Sequence, residues 1–215
     1  MATLNYDSLI PYITLDVAGA PDPVIVAMIN MAAREFCLQS SCWNEYEDIP
    51  LAADKSDYEP STPNGAQVRF VKSILINNRE IQPASEDKVL YYMRSAFSAV
   101  GSPLYYYMLN DMAFRVLPKP TLMDAGQIMR VRTVFVPKFN ATVFDANLIE
   151  RYAETLIAGA KARLMEMPGK PWSNPALAGY NKGLFDVGVA KARIDFELSN
   201  VPSEMKVRQR NFRGV

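Results

Sequence analysis

The sequence predicts an α+β protein. An antiparallel helical bundle is drawn from both chain ends, residues 1–43 and 144–200, with an inserted antiparallel β domain over 44–143 and an extended basic tail over 201–215. Three observations predict it. Apolar residues recur at three-four spacing near both ends; short β-rich runs separated by turn residues fill the middle; no hydrophobic period continues past Val201.

Residues 4–43 read as helical. A short segment from Leu4 to Ile13 is interrupted by Pro11, and Gly19, Pro21 and Pro23 punctuate the chain after it. Asp22 can cap a helix whose first position is Pro23. Val24, Ala27, Met28, Met31, Ala32 and Phe36 form its apolar stripe, and it should end near Ser40.

In the middle block, Val68, Phe70, Lys72, Ile74 and Ile76 alternate with Arg69, Val71 and Ser73, as a strand would. Asn77-Asn78 suits a tight hairpin, because asparagine tolerates positive φ. Val89–Arg94 is a further strand candidate. Leu104–Leu109 and Met112–Leu117 are β-rich runs joined by Asn110-Asp111. Gln127–Val136 is the clearest strand, bounded by Gly126 and Pro137.

Asp145 can cap a helix running to about Met167, with Leu148, Tyr152, Leu156, Ala160 and Leu164 as its stripe. Pro168-Gly169 ends it. Trp172 seals the turn, Asn174 caps and Pro175 starts a second helix. Leu177, Tyr180, Leu184, Val187 and Ile194 are expected to point inward. So short a loop predicts antiparallel packing. Gly179, Gly183 and Gly188 each cost about 1 kcal/mol in a helix interior. Close approach to Ala158, Gly159 and Ala162 of the facing helix would offset that.

Lys+Arg and Asp+Glu are 23 each, so no global charge draws the chain to nucleic acid or an anionic membrane. Histidine is absent, which removes Ser-His and Cys-His nucleophiles and imidazole metal sites. Cys37 and Cys42 read as reduced core thiols. MATLNYDSLI has neither the basic nor the apolar region of a signal peptide, and no apolar run reaches the roughly 18 residues of a membrane span.

Glu45, Glu47, Asp48, Asp54, Asp57 and Glu59 form an acidic stretch. A catalytic carboxylate pair or hard-cation site is conceivable, but a solvated or inter-subunit acidic face is favoured. Met167–Pro171 contains Gly-Lys but lacks the upstream glycine of a P-loop. Tyr105, Tyr106 and Tyr107 cannot make one platform, since alternate strand residues face opposite sides. No catalytic, metal or cofactor constellation emerges. Lys206, Arg208, Arg210 and Arg213, with Phe212 as an apolar anchor, could bind nucleic acid or dock on an acidic protein surface.

The order of elements resembles the head-to-tail adaptor (connector or gateway) proteins of tailed bacteriophages, the tail tubular protein A type. The residues that carry the resemblance are Glu35-Phe36 to Trp43-Asn44-Glu45, Gly65 to Ile76, Pro118-Lys119-Pro120, Ala158 to Leu164, and above all Lys170-Pro171-Trp172-Ser173-Asn174. The resemblance implies a structural virion protein, not an enzyme, without cofactors. It implies a dodecameric ring under the portal protein, a lumen through which genomic DNA passes without sequence-specific binding, and a platform for tail or nozzle proteins. Assembly would take place in the host cytoplasm. It assigns portal binding to Lys206, Arg208, Arg210, Phe212 and Arg213. Ring geometry needs opposite faces of neighbouring copies to meet, which makes Glu45, Glu47 and Asp48 candidates to meet Arg130 and Arg132 of a neighbour. The alternatives are a carbohydrate- or ligand-binding β module using the tyrosines, a carboxylate hydrolase, and a DNA-binding accessory protein using the tail.

Overall fold

The structure, a computed structural model, describes residues 2–94 and 100–198. The chain opens with strand β1 (Thr3–Asn5), a 3-10 turn (Tyr6–Leu9), helix α1 (Ile10–Thr14) and helix α2 (Asp22–Ser40). Strands β2 (Asn44–Pro50), β3 (Asp57–Tyr58), β4 (Ala66–Ile76) and β5 (Arg79–Pro83) lead to helix α3 (Glu86–Arg94). Strands β6 (Tyr105–Met108), β7 (Phe114–Leu117), β8 (Ile128–Pro137) and β9 (Val143–Asp145) precede helices α4 (Ala146–Met165) and α5 (Pro175–Leu198).

A helical bundle with an inserted β domain is not what the chain adopts. The dominant element is a curled seven-stranded sheet of order β2-β8-β4-β5-β6-β7-β3, mixed because β5 and β6 run parallel. The helices share their core with it. Trp43, Ala66, Val68, Phe135 and Val136 lie in one apolar cluster with Phe36, Leu156 and Phe185, so strands and helices bury each other. A second cluster, including Val71, Ile74, Tyr106, Phe114 and Met129, lies where the sheet curls on itself. The two-stranded pairing of β1 with β9 ties the chain start to the start of α4.

Strand β4 runs through both clusters, and β-bulges explain how. Its register against β8 shifts between Val68 and Phe70 and again between Val71 and Ser73. Each extra residue re-aims the side chains beyond it. The buried set is therefore Ala66, Val68, Val71, Ile74 and Ile76, and strict alternation through Phe70 and Lys72 is lost.

Local chemistry sets most element ends. Asn77 and Asn78 have φ of 50° and 61° and close the β4–β5 hairpin. The Asn110 carboxamide oxygen accepts from Met112 N at 2.7 Å and Ala113 N at 2.8 Å in the β6–β7 turn. Asp145 caps α4 by accepting from Leu148 N at 3.0 Å, and Asn174 caps α5 by accepting from Leu177 N at 3.2 Å. Ser41, at φ 55°, closes α2 in the left-handed conformation, and Pro21 takes the capping position expected of Asp22.

Three further expectations change. Leu4 opens in a strand, not a helix, because it pairs with Phe144. Val89–Arg94 is helical, not extended. Glu86 and Asp87 in its first turn and Arg94 in its last suit the helix dipole, which outweighs the β-propensity of its tyrosines.

The largest change is in α5, which turns its other face inward. Ala178, Phe185, Val189, Ala192 and Phe196 are buried, while Leu177, Tyr180, Leu184, Val187 and Ile194 are exposed. Close approach to α4 decides this. Gly159 lies against Phe185, and Gly188 lies against Thr155, with no room for a Cβ at either. Gly179 and Gly183 have nothing within 4 Å of where a Cβ would sit, so they do not face α4.

Candidate interaction surfaces

Antiparallel pairing of β2 with β8 places Glu45 opposite Thr133, Tyr46 opposite Arg132, Glu47 opposite Val131 and Asp48 opposite Arg130. Directly opposite residues touch. Arg130 donates to Asp48 through Nε at 2.7 Å and Nη2 at 2.9 Å. These hydrogen bonds hold the Asp48 carboxyl below the usual carboxylate range and the Arg130 guanidinium above its own. Glu47 accepts from Ser61 N at 2.7 Å and Ser61 Oγ at 2.6 Å. Burial pushes the Glu45 carboxyl up.

Arg132 is buried, unlike Arg130. Its Nε donates to Asn44 Oδ1 at 2.9 Å, and its guanidinium lies 5.1 Å from the Tyr46 ring centroid. It also lies 4.9 Å from the ring of Phe196, over which Lys72 Nζ sits at 3.9 Å. Burial pulls the Lys72 ammonium down, with Arg132 adding repulsion. Phe196 is thus held by two cations that anchor the last turn of α5 to β4 and β8. Sequence reasoning singled out Arg132 but missed Asn44, Tyr46, Lys72 and Phe196. An aromatic ring near the end of an amphipathic helix was the available signal, and its partners are remote in sequence.

The five charged candidates on β2 and β8 therefore come together within one copy. Lys206, Arg208, Arg210, Phe212 and Arg213 lie outside the described residues.

Tyr106 is buried and donates to the Lys72 carbonyl at 3.1 Å, while Tyr105 and Tyr107 are half-buried. Tyr91, Tyr92 and Tyr105 form an aromatic ladder, with centroids 5.3 and 6.2 Å apart. Lys88 Nζ donates to Tyr105 Oη at 2.6 Å, which holds its ammonium above the ordinary range. Cys37 and Cys42 are free thiols. Burial raises Cys37, and its hydrogen bond lowers Cys42. Trp172 packs half-buried on the helical core.

Among the described residues, no group of three or more His, Cys, Asp or Glu is placed to hold a metal ion, and no helix is long and apolar enough to cross a membrane. An open groove of about 780 Å³ lies between α4 and α5. It is lined by Glu150, Arg151, Glu154 and Thr155 on one side and Leu184, Val187, Gly188 and Lys191 on the other. Apolar groups and both signs of charge share this lining. Arg151 Nη2 and Tyr152 Oη both donate to Asp195 Oδ2 in its wall, at 3.0 and 3.2 Å, and the groove is otherwise wide and open to solvent, as a contact surface is.

Residues 4–202 match the SU10 adaptor protein family, and the chain belongs to it. This is a family of phage adaptors, whose role is structural. No curated protein matches the chain.

Proposed function

We propose that this SU10-family adaptor joins head to tail in the phage particle. Copies form a ring, a dodecamer by resemblance, beneath the portal protein; the ring extends the channel for genomic DNA and seats the tail or nozzle proteins. The observation that carries this reading is the family match, which spans residues 4–202 of 215. The zero formal charge supports it, since a strongly cationic lumen would hold the phosphates of passing DNA.

The basic tail clasps the portal, through Lys206, Arg208, Arg210, Phe212 and Arg213. The charged sheet edge of Glu45, Glu47, Asp48, Arg130 and Arg132 faces a neighbouring copy. Because Asp48 and Arg130 already pair, that edge sets register more than affinity.

Deletion of residues 201–215 tests the tail. The shortened protein is expected to keep its melting temperature and to lose portal docking in a pull-down with the portal of the same phage. Normal docking by the shortened protein overturns the tail assignment. Particles that assemble normally without this polypeptide overturn the adaptor reading itself.

A further inference from the structure

We infer that the outward face of α5 is a helix-packing seam that takes a second copy of this chain. The inference rests on the ring proposed above and assigns the surface through which its copies meet.

The seam is written in the spacing. Leu177, Tyr180, Leu184, Val187, Lys191, Ile194 and Leu198 succeed one another at intervals of three, four, three, four, three and four. This is the a/d pattern of a helix that packs against another helix, interrupted only by Lys191. The chain's own core does not use it. The buried positions of α5, from Ala178 to Phe196, lie on the other side, so one helix carries two apolar faces. Tyr180 is 64% exposed, Val187 70% and Ile194 55%.

The flanks suit a close neighbour. Ala176, Gly183 and Ala190 border the stripe on its outer side. Among the described residues, nothing lies within 4 Å of where a Cβ on Gly183 would sit. The α4–α5 groove runs alongside and shares Leu184 and Val187 with the seam.

Area and charge identify the occupant. The exposed apolar side chains of the seam amount to on the order of 600 Å² per copy, the upper end for a patch on a monomer and close to the ~800 Å² each partner contributes to a stable interface. A second copy is always present in equal number, and at zero formal charge it meets no net repulsion. The chain's own end, residues 199–215, fits poorly. It carries Pro202, which a helix interior disfavours, and four cations after Glu204, and would bring that charge to Lys191. In a cyclic ring the seam meets a different helical face of the next copy, so every copy buries it once.

The test places a thiol on the seam. In a Cys42→Ser background, with Cys37 buried, Val187→Cys is labelled with a water-soluble maleimide before and after assembly on the portal. Labelling is expected to be fast in the free protein and to slow by roughly tenfold or more in the ring, as for a residue in a dry interface core. A short bismaleimide bridging Val187→Cys to a cysteine placed on α1 or α2 of another copy is expected to yield chain-to-chain dimers. Val187→Glu is expected to preserve the melting temperature and stop ring closure.

A ring that forms while Val187→Cys labels at its free rate overturns the seam and leaves the ring standing. So does closure by Val187→Glu, protection already present in the free monomer, or cross-linking to portal or tail protein alone. Failure of the unsubstituted protein to form any ring sinks the adaptor reading, and this inference with it.

Discussion

The charged edge around β2 and β8 and the outer face of α5 treat their side chains in opposite ways. At the edge, partners come from the same chain. Arg130 takes Asp48, Ser61 takes Glu47, and Asn44, Tyr46 and Phe196 surround Arg132. On α5 the outward Tyr180, Val187 and Ile194 face solvent, and among the described residues nothing lies within 4 Å of where a Cβ on Gly179 or Gly183 would sit. Charges that already have partners gain little from a neighbour, whereas uncovered apolar area gains on the order of 25 cal/mol for each Å² it buries. The physical drive to assemble therefore lies with the helix, and the charged edge contributes orientation.

The comparison can be broken first at adjacent residues of α5. Phe185→Ala, on the buried face against Gly159, is expected to cost about 3–5 kcal/mol of stability. Leu184→Ala, one residue away on the outer face, is expected to stay within about 0.5 kcal/mol. Urea denaturation reads both. Equal losses would mean that α5 does not have one structural and one free face.

Alkaline pH sharpens the same contrast from the core side. Burial pushes the Tyr152 phenol up to about 12, with Asp195 adding to the shift and Arg151 opposing it. Burial raises Tyr6 as well. A raised phenol means that the folded state favours the neutral form. Its contribution is complete below the unfolded value near 10 and is lost as pH rises from about 10 towards 12. Urea midpoints measured from neutrality upward are expected to fall in that window, less steeply for Tyr152→Phe. A flat profile for both proteins would place these rings outside the core.

The smallest effect belongs to the edge. Asp48→Asn removes an exposed pair and is expected to leave the melting temperature unchanged at neutral pH within error. Because Arg130 lowers the Asp48 carboxyl, what the pair contributes is present above the ordinary carboxylate value and is lost as pH falls below it. A clear drop in melting temperature at neutral pH would make the edge a structural element.

Much of the element order was legible because short-range chemistry writes it. The caps at Asp145 and Asn174 and the hairpin at Asn77-Asn78 depend on residues within three positions of each other. The bulges in β4 were not legible, because strict alternation through Phe70 and Lys72 reads as well in one dimension as the true set through Val71. Nor was the role of Val89–Arg94. A run of valine and tyrosines carries β-propensity, and helix-terminal charges outweighed it. Of the surfaces, the charged residues of β2 and β8 were identified, but their partners Ser61, Asn44 and Phe196 come from positions that only folding brings near.

What the sequence determined by itself was the caps of the last two helices and the Asn77-Asn78 hairpin, the absence of histidine chemistry, and the presence of a regular apolar stripe on the last helix. Which face of that helix turned inward was settled only in three dimensions. The stripe of Leu177, Tyr180, Leu184, Val187 and Ile194 is the more regular of the two. The face that went in is the one whose shape fits α4, with Phe185 over Gly159 and Gly188 beneath Thr155. Apolarity along a helix is a property of one chain segment. Fit is a property of two, and close packing lets fit decide when both faces are apolar.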